Sequence, residues 1–154
     1  MKTNYLVALA VGGLLLAGIA SAQEKKIKRS DLPPAVKKTV AAQSAGATIR
    51  GFSTEKENGQ TLYVVEMTVN GHSKDISIAP DGSIVEIEEQ VALDSLSPEV
   101  KAGLQAKAGK GKILKVESLT KKNKLVAYEA QVETNGKKFE VQVGTDGKPV
   151  DHEE

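Results

Sequence analysis

The stretch DLPPAVK at residues 31–37 returns as SLSPEVK at residues 95–101, and this recurrence decides the predicted fold. The Asn-Gly and Asp-Gly pairs at 70–71 and 81–82 also return, 65 residues later. The first interval is 64 residues, so one residue is added in a loop of the second copy. A fixed internal period indicates two copies of one supersecondary unit. Because the repeated residues are apolar, Pro and Gly, the recurrence informs about architecture more than about activity.

Each copy begins with a predicted helix, which in the first copy should start near Pro34. In the second copy Ser97 is a suitable N-cap, and Pro98 suits the first helical position because its missing N–H would be unpaired there. Apolar residues at a spacing of four share one helical face in each copy. These residues are Leu32, Val36 and Val40 in the first copy and Leu96, Val100 and Leu104 in the second.

After each predicted helix the apolar period changes from four to two, which indicates β-strands. In the first copy Tyr63, Val65 and Met67 alternate along one such strand. The Asn-Gly pairs at 70–71 and 135–136 predict type I′ hairpins, since both central residues of that turn need a positive φ. An earlier strand in each copy is predicted near residues 49–54 and 113–119.

We therefore predict an α+β protein of two tandem repeats, each one helix packed on a three- to four-stranded antiparallel β-meander. The first repeat covers residues 31–92, the second covers 93–154, and a loose polar leader at 23–30 precedes them. A meander with one apolar face needs a cover, and the amphipathic helix can provide it. The strands could also join across the repeats into one larger sheet, with both helices on the same face.

The first 22 residues have the pattern of a secretory signal peptide. Lys2 supplies a positive charge, residues 5–19 are apolar, and residues 20–22 form a small-x-small cleavage site. The apolar segment is slightly short for a membrane span of about 20 residues, which disfavours a retained anchor. Cleavage leaves 132 of the 154 residues, and none is Cys. We expect a cysteine-free periplasmic or extracellular protein with no thiol chemistry.

Charge is balanced overall but unevenly placed. Without Lys2 the chain has 20 basic and 20 acidic residues, which predicts neither a nucleic-acid nor an anionic-membrane partner. Residues 81–99 contain acids and no Lys or Arg, whereas residues 101–124 are rich in Lys with only Glu117 opposing them. Such blocks are typical of solvated faces or of a surface that steers a charged partner. The lysine-rich segment has no aromatic residue for base stacking, which also argues against nucleic acid.

The residues offer little for catalysis or for cofactors. The only histidines are His72, beside a predicted turn, and His152, in the acidic tail where it could bind a metal only weakly. Ser73 and Asp75 lie too near His72 in one hairpin to converge as a triad requires. Residues 110–112 lack the spacing of a phosphate-binding loop. We therefore expect no enzyme, no cofactor and no metal site.

Each copy resembles the PepSY domain. The features that carry the resemblance are a strand with Tyr, a Gly turn, a second apolar strand and a terminal Asp-Gly turn, at residues 62–85 and again at 128–150. The tandem arrangement behind a signal peptide is similar to secreted PepSY-like proteins, which share a broad architecture with the β-lactamase inhibitor protein. The resemblance implies a binding or regulatory module outside the cytoplasm, with peptidase inhibition as its commonest proposed role, and it implies no catalytic motif.

We therefore expect a secreted or periplasmic non-catalytic module that recognises a protein or peptide. An open sheet face or an exposed edge strand could accept an extended segment. The candidate partner-binding residues are polar strand positions predicted to face outward. They are Glu66, Thr68, Gln131 and Glu133.

The alternative is a stoichiometric inhibitor of a peptidase or other secreted enzyme. Tight inhibitors use Trp, Tyr and Arg as anchors, yet the chain has no Trp and its only arginines are Arg29 and Arg50. Its strand aromatics Tyr63, Tyr128 and Phe139 are expected in the core. A third hypothesis, a cation-responsive envelope protein, requires the acids of residues 81–99 to converge in space.

Overall fold

Eight strands form one antiparallel sheet in the computed structural model, which describes residues 24–150. Each strand pairs with the next strand along the chain, so the order across the sheet is β1 to β8. The strands are β1 (Lys25–Lys26), β2 (Thr48–Glu57), β3 (Gln60–Val69), β4 (His72–Ile78), β5 (Ile84–Val91), β6 (Lys112–Lys121), β7 (Lys124–Thr134) and β8 (Lys137–Gly144). Helix α1 (Pro34–Gln43) precedes β2, and helix α2 (Pro98–Ala108) connects β5 to β6.

The predicted α+β class, with two tandem helix-on-meander repeats, is wrong. The described chain is mostly β, with one continuous sheet and two α-helices. The pairing of β5 with β6, from Glu86 opposite Lys121 to Val91 opposite Val116, overturns the prediction. A meander that ended with the first copy would leave the backbone groups along this side of β5 as a second exposed edge, whereas β6 satisfies them. The joined sheet, which the sequence left open, is the observed arrangement.

Both helices cover the same face of the sheet. Around α1, Val36 and Val40 pack with Val65, Met67 and Ile76 in one buried cluster. Around α2, a second cluster contains Val100, Leu104, Val116, Ala130, Val132 and Val143. The register that sets Ile87 opposite Thr120 and Val91 opposite Val116 places the two clusters on one side. Each fully buried aliphatic side chain contributes about 1.5–3 kcal/mol, so each helix is held mainly by its own cluster.

The local signals of the sequence are confirmed at the helices and turns. Helix α1 begins at Pro34, and the Ser97 hydroxyl accepts a hydrogen bond from the Val100 amide at the start of α2. Asn70 and Gly71 have φ values of 51° and 84°, as a type I′ turn requires. The earlier predicted strands are present as β2 and β6, each longer than expected.

The ends of the chain differ in what the structure describes. Lys25 and Lys26, in the expected leader, pair with Thr54 and Ser53 as the short edge strand β1. The predicted signal peptide and His152 lie outside the described residues. Between residues 24 and 150, no helix is long and apolar enough to cross a membrane.

Candidate functional site

The face of the sheet opposite the helices, here called the open face, is built by strand alternation. Val65, Ile76 and Ile87 lie in register across β3, β4 and β5 on the helix side. Because successive strand residues point to opposite faces, Glu66 and Glu88 lie on the open face. Both helices pack on the other side, so the open face is formed by strand side chains.

Acidic residues stand beside one another across the middle of this face. Glu66 is opposite Asp75, and Asp75 is opposite Glu88. Directly opposed like charges destabilise an antiparallel pair. Two strands further on, Glu117 is opposite Glu129. We call the group the acidic centre, and its members are Glu66, Asp75, Glu86, Glu88, Glu117 and Glu129.

Three cationic side chains neutralise part of the acidic centre. The ion pairs are Arg50 Nη2 to Asp75 Oδ1 at 3.0 Å, Lys115 Nζ to Glu117 Oε1 at 2.8 Å and Lys121 Nζ to Glu86 Oε2 at 3.0 Å. Each carboxylate of these pairs belongs to a buried residue. Ser73 adds a hydrogen bond from its hydroxyl to Glu117 Oε1 at 3.3 Å. Each of the three cations therefore already has an acidic partner.

Glu88 has no such partner. The residue is only 6% exposed, and its carboxyl makes neither an ion pair nor a hydrogen bond with residues 24–150. Burial raises the pKa of Glu88 to about 9, and the negative charge of Glu86 adds to the effect. Glu88 therefore carries a proton at neutral pH, and a protonated carboxyl can donate a hydrogen bond.

Neighbouring carboxyls are shifted in the same direction. Burial raises the pKa of Asp75 to about 6, although the charge of Arg50 opposes that shift. Burial, with a contribution from Glu140, raises the pKa of Glu129 to about 7. Burial also raises the pKa of Glu55 and of Glu140. The open face thus carries a set of carboxyls whose pKa values are raised by burial.

The four residues predicted to bind a partner lie on the open face. Glu66 is opposite Asp75, Thr68 is opposite Ser73, Gln131 is opposite Glu140, and Glu133 is opposite Lys138. All four are partly exposed. Strands β3 and β7 are separated by three others, a distance of about 19 Å at about 4.8 Å per strand, so the two pairs lie at the two sides of the acidic centre, of which Glu66 is itself a member. Their orientation is as predicted, and their role in binding stays a prediction.

The acidic centre itself was missed by sequence reasoning, apart from Glu66. Alternation around Ile87 offered one signal, because it puts Glu86 and Glu88 on a single face. Their closeness to Asp75 follows only from the β4–β5 register, and their closeness to Glu117 only from the β5–β6 pairing.

The other residues considered for catalysis or metal binding form no such site in the described chain. His72 is an exposed residue at the start of β4, and the Ser73 hydroxyl bonds to Gln90 and Glu117. The acids of residues 81–99 do not all converge, because Glu86 and Glu88 share the open face whereas Glu89, on the helix side, pairs with Lys74. In the described part of the chain, no group of three or more His, Cys, Asp or Glu side chains is arranged to hold a metal ion.

One aromatic residue differs from expectation. Tyr63 and Tyr128 pack against the two buried clusters, as predicted. Phe139, also expected in the core, is 38% exposed. It lies on β8, an edge strand of the sheet formed by the described residues, so β7 is the one strand beside it and its other side faces solvent.

Comparisons with known proteins show a fold and no family. No family model matches the sequence, and no curated protein matches it. A protein of Bacteroides eggerthii described as periplasmic superposes with a TM-score of 0.63 at 17% identity, covering 78% of this chain and 86% of its own. A DUF2874 family protein of Bacteroides ovatus gives 0.60 at 20% identity, covering 79% and 86%.

A BLIP-like protein of Bacteroides fragilis gives a TM-score of 0.56 at 17% identity, covering 78% of this chain and 84% of its own. At these identities the likeness extends to the fold alone. The resemblance to PepSY domains has no matching family model beside it. The chain is therefore similar in fold to DUF2874 proteins and to a BLIP-like protein.

Proposed function

We propose that this protein is an exported, non-catalytic module that binds a protein or peptide partner on the open face. The observation that carries the proposal is the acidic centre, a largely buried and incompletely neutralised group on the face that neither α1 nor α2 covers. The signal-peptide pattern of residues 1–22 and the periplasmic description of a structural neighbour support a location outside the cytoplasm.

The arrangement suits recognition because a sheet holds its side chains at fixed spacings. Opposed carboxylates cost stability, and such a cost is typical of functional surfaces. A partner that supplies positive charge would offset this loss of stability. The negative electrostatic potential of the acids would also steer such a partner to the open face. Glu66, Thr68, Gln131 and Glu133 would then form the polar rim around the contact.

A non-catalytic role is favoured by where the acids lie. They spread over five strands, β3 to β7, whereas the polar groups of a small-molecule catalytic site usually converge on one pocket. A groove that the structure does show lies beside α1, lined in part by Thr39, Asp81 and Asn123. Its lining contains no residue of the acidic centre.

Capture of the natural partner tests the proposal. The protein, tagged at its C-terminus, is immobilised and exposed to the envelope and secreted fraction of its own source. The variant Gln131→Arg places a bulky cation on the open face, and Gln105→Arg makes the same change on the exposed surface of α2. We expect one partner to be retained by the wild type and by Gln105→Arg and to be lost with Gln131→Arg. Equal retention by all three proteins would overturn the proposal.

The second candidate is a stoichiometric inhibitor of a peptidase or other secreted enzyme. The BLIP-like structural neighbour favours it, through the shared fold alone. The large apolar residues exposed among residues 24–150 are Leu114, Leu125 and Phe139, which offer one aromatic anchor. If the captured partner is an enzyme, titration of its activity decides: complete loss at one equivalent supports inhibition, and unchanged activity rejects it.

A further inference from the structure

We propose that the acidic centre receives a cationic side chain, a lysine or an arginine, from a basic segment of the partner, and that this group sits beside Glu88. The inference rests on the proposed function for its choice of face. It goes further by naming the kind of side chain that the partner supplies and the residue, Glu88, that this side chain contacts.

Glu88 occupies a central position on the open face, beside an apolar side chain. It lies on β5 between Asp75 and Leu119, near the middle of the sheet. Leu119 is 1% exposed and supplies an apolar neighbour that excludes water. Charge interactions are stronger in such a low-dielectric setting than in bulk water.

The charge around Glu88 on the open face is negative overall. Charged groups from seven strands, β2 to β8, surround it on the open face, and the acids outnumber the bases. These groups are Arg50, Glu66, Asp75, Glu86, Lys115, Glu117, Lys121, Glu129 and Glu140.

Within residues 24–150, every cation of that set is already engaged. Arg50, Lys115 and Lys121 neutralise Asp75, Glu117 and Glu86. Among these residues Glu88 is a polar side chain more than nine-tenths buried without an ion-pair or hydrogen-bond partner, and its carboxyl oxygens keep a small contact with solvent. An unpartnered buried polar group carries a desolvation cost, which a bound cation would offset.

The arrangement of the acids suits an organic cation better than a metal ion. A metal needs three or more convergent ligands, and in the described chain the acids stand in rows across strands without forming such a group. A lysine ammonium or an arginine guanidinium needs one or two carboxylates and can donate hydrogen bonds to them. The row of acids therefore fits a basic side chain better.

Binding of a cation here is coupled to a proton. In the free protein Glu88 is protonated at neutral pH because of its burial. A neighbouring positive charge favours the ionised carboxylate. The carboxyl O–H bond breaks, the proton passes to solvent, and the carboxylate pairs with the cation, so charge and atoms balance. Affinity should therefore rise with pH.

Calorimetric titration with a defined probe tests the inference. The probe is hexalysine with blocked ends, added to the full processed chain at 150 mM salt and pH 8. Two buffers of different ionisation enthalpy report the protons released per peptide bound. Glu88→Gln removes the acid, and Glu89→Gln makes the same change one residue away, on the opposite face of the sheet.

We expect the wild type and Glu89→Gln to bind the probe and to release protons. Glu88→Gln should bind about tenfold more weakly, as loss of one buried charge contact predicts, and should release fewer protons. Failure of the wild type to bind hexalysine would overturn the inference. So would equal affinity and equal proton release for the two variants.

The two proposals can fail separately. If Gln131→Arg loses the natural partner while Glu88→Gln retains it as the wild type does, the open face binds a partner and the cation site is rejected. If Gln131→Arg retains the natural partner, the proposed function itself is rejected, whatever hexalysine does.

Discussion

Gly103 of α2 and Gly147 of the turn after β8 meet with no space for a side chain between them. A Cβ at Gly103 would overlap the Gly147 carbonyl oxygen and lie 2.9 Å from its carbonyl carbon. In the first half of the chain, the Thr39 hydroxyl of α1 donates a hydrogen bond to the Gly82 carbonyl at 2.6 Å. Each Asp-Gly turn thus packs closely against the backbone of the helix of its own half, since a Cβ at Gly82 would lie 2.9 Å from the Ala35 carbonyl oxygen, and the first turn is also held by the Thr39 side chain.

The first prediction concerns this close contact. Gly103→Ala should lower the free energy of unfolding by about 2 kcal/mol, because the turn must move to admit a methyl group. The intrinsic preference of a helix for Ala over Gly, about 1 kcal/mol, opposes the effect and is smaller. Urea denaturation measures the difference, with exposed Gln105→Ala as the control. Stability equal to the wild type would show that the turn is free to shift.

The second prediction concerns the matching hydrogen bond. Thr39→Ala should cost about 1 kcal/mol, the usual net value of a hydrogen bond. Thr39→Ser keeps the hydroxyl, so its free energy of unfolding should fall by less than that of Thr39→Ala. Thermal unfolding of the two variants side by side provides the measurement, and equal losses would mean that the methyl group, not the hydroxyl, matters at this position.

The third prediction concerns Glu88 and stability against pH. The folded-state pKa lies above the unfolded value, so the folded protein binds the proton more tightly than the unfolded chain. Stability from this group is full below about pH 4.5 and is lost as the pH rises towards about 9. Glu88→Gln keeps a neutral group and should gain on the order of 2 kcal/mol over the wild type at pH 8, and little at pH 4.

Glu89→Gln serves as the matched control for that experiment. Its side chain is 47% exposed and pairs weakly with Lys74 at 3.8 Å. We expect no gain that grows with pH. A flat difference between wild type and Glu88→Gln from pH 4 to pH 8 would contradict the raised pKa of Glu88.

The fourth prediction concerns the ion pair of Arg50 with Asp75. Arg50→Ala leaves a buried carboxyl without its cation and should raise the pKa of Asp75 further above about 6. At pH 5 the folded protein keeps Asp75 mostly protonated with or without Arg50, so the cost is small. At pH 8 the loss should reach about 1–2 kcal/mol, since the charge is then unpaired. Arg29→Ala, which removes the exposed arginine of the turn before α1, should show no such pH dependence.

The fifth prediction compares two serines of the open face. Ser53 is fully buried, and its hydroxyl has no hydrogen-bond partner in the described chain. Ser53→Ala should therefore be neutral or stabilising by up to about 1 kcal/mol. The Ser73 hydroxyl bonds to Gln90 and Glu117, so Ser73→Ala should destabilise. A destabilising Ser53→Ala in chemical denaturation would imply a partner for its hydroxyl.

Local chemistry made the helices and turns predictable from sequence. Pro34, Ser97 and the Asn-Gly turns act within a few residues, and the structure has them as expected. The join between β5 and β6 was not predictable in this way, because α2 separates the two strands along the chain. No short-range signal specifies which edge the strand after a helix will choose.

The same limit hid the acidic centre. The pairing of β4 with β5 contains a bulge, because the neighbours Ser77 and Ile78 of β4 lie opposite Glu86 and Ile84 of β5. Ile84 therefore points to the helix side, although simple alternation would put it on the same face as Glu86. The outward orientation of Thr68 and Gln131 could be derived because the residues around them alternate without interruption, over 63–69 in β3 and 127–134 in β7. What a single strand displays can be derived from sequence, whereas what several strands bring together depends on register.

The separate buried clusters under one sheet have a consequence for cooperativity. Each half holds its own helix, and the β5–β6 ladder is the main structural link between them. The halves are thus candidates for distinct foldons with different protection against hydrogen exchange. Glu86 and Glu88 belong to one side of that ladder and Glu117 to the other, so a ligand on the acidic centre would span the join. A bound ligand would then stabilise both halves together, so that the two halves unfold in one cooperative transition where the free protein could show two.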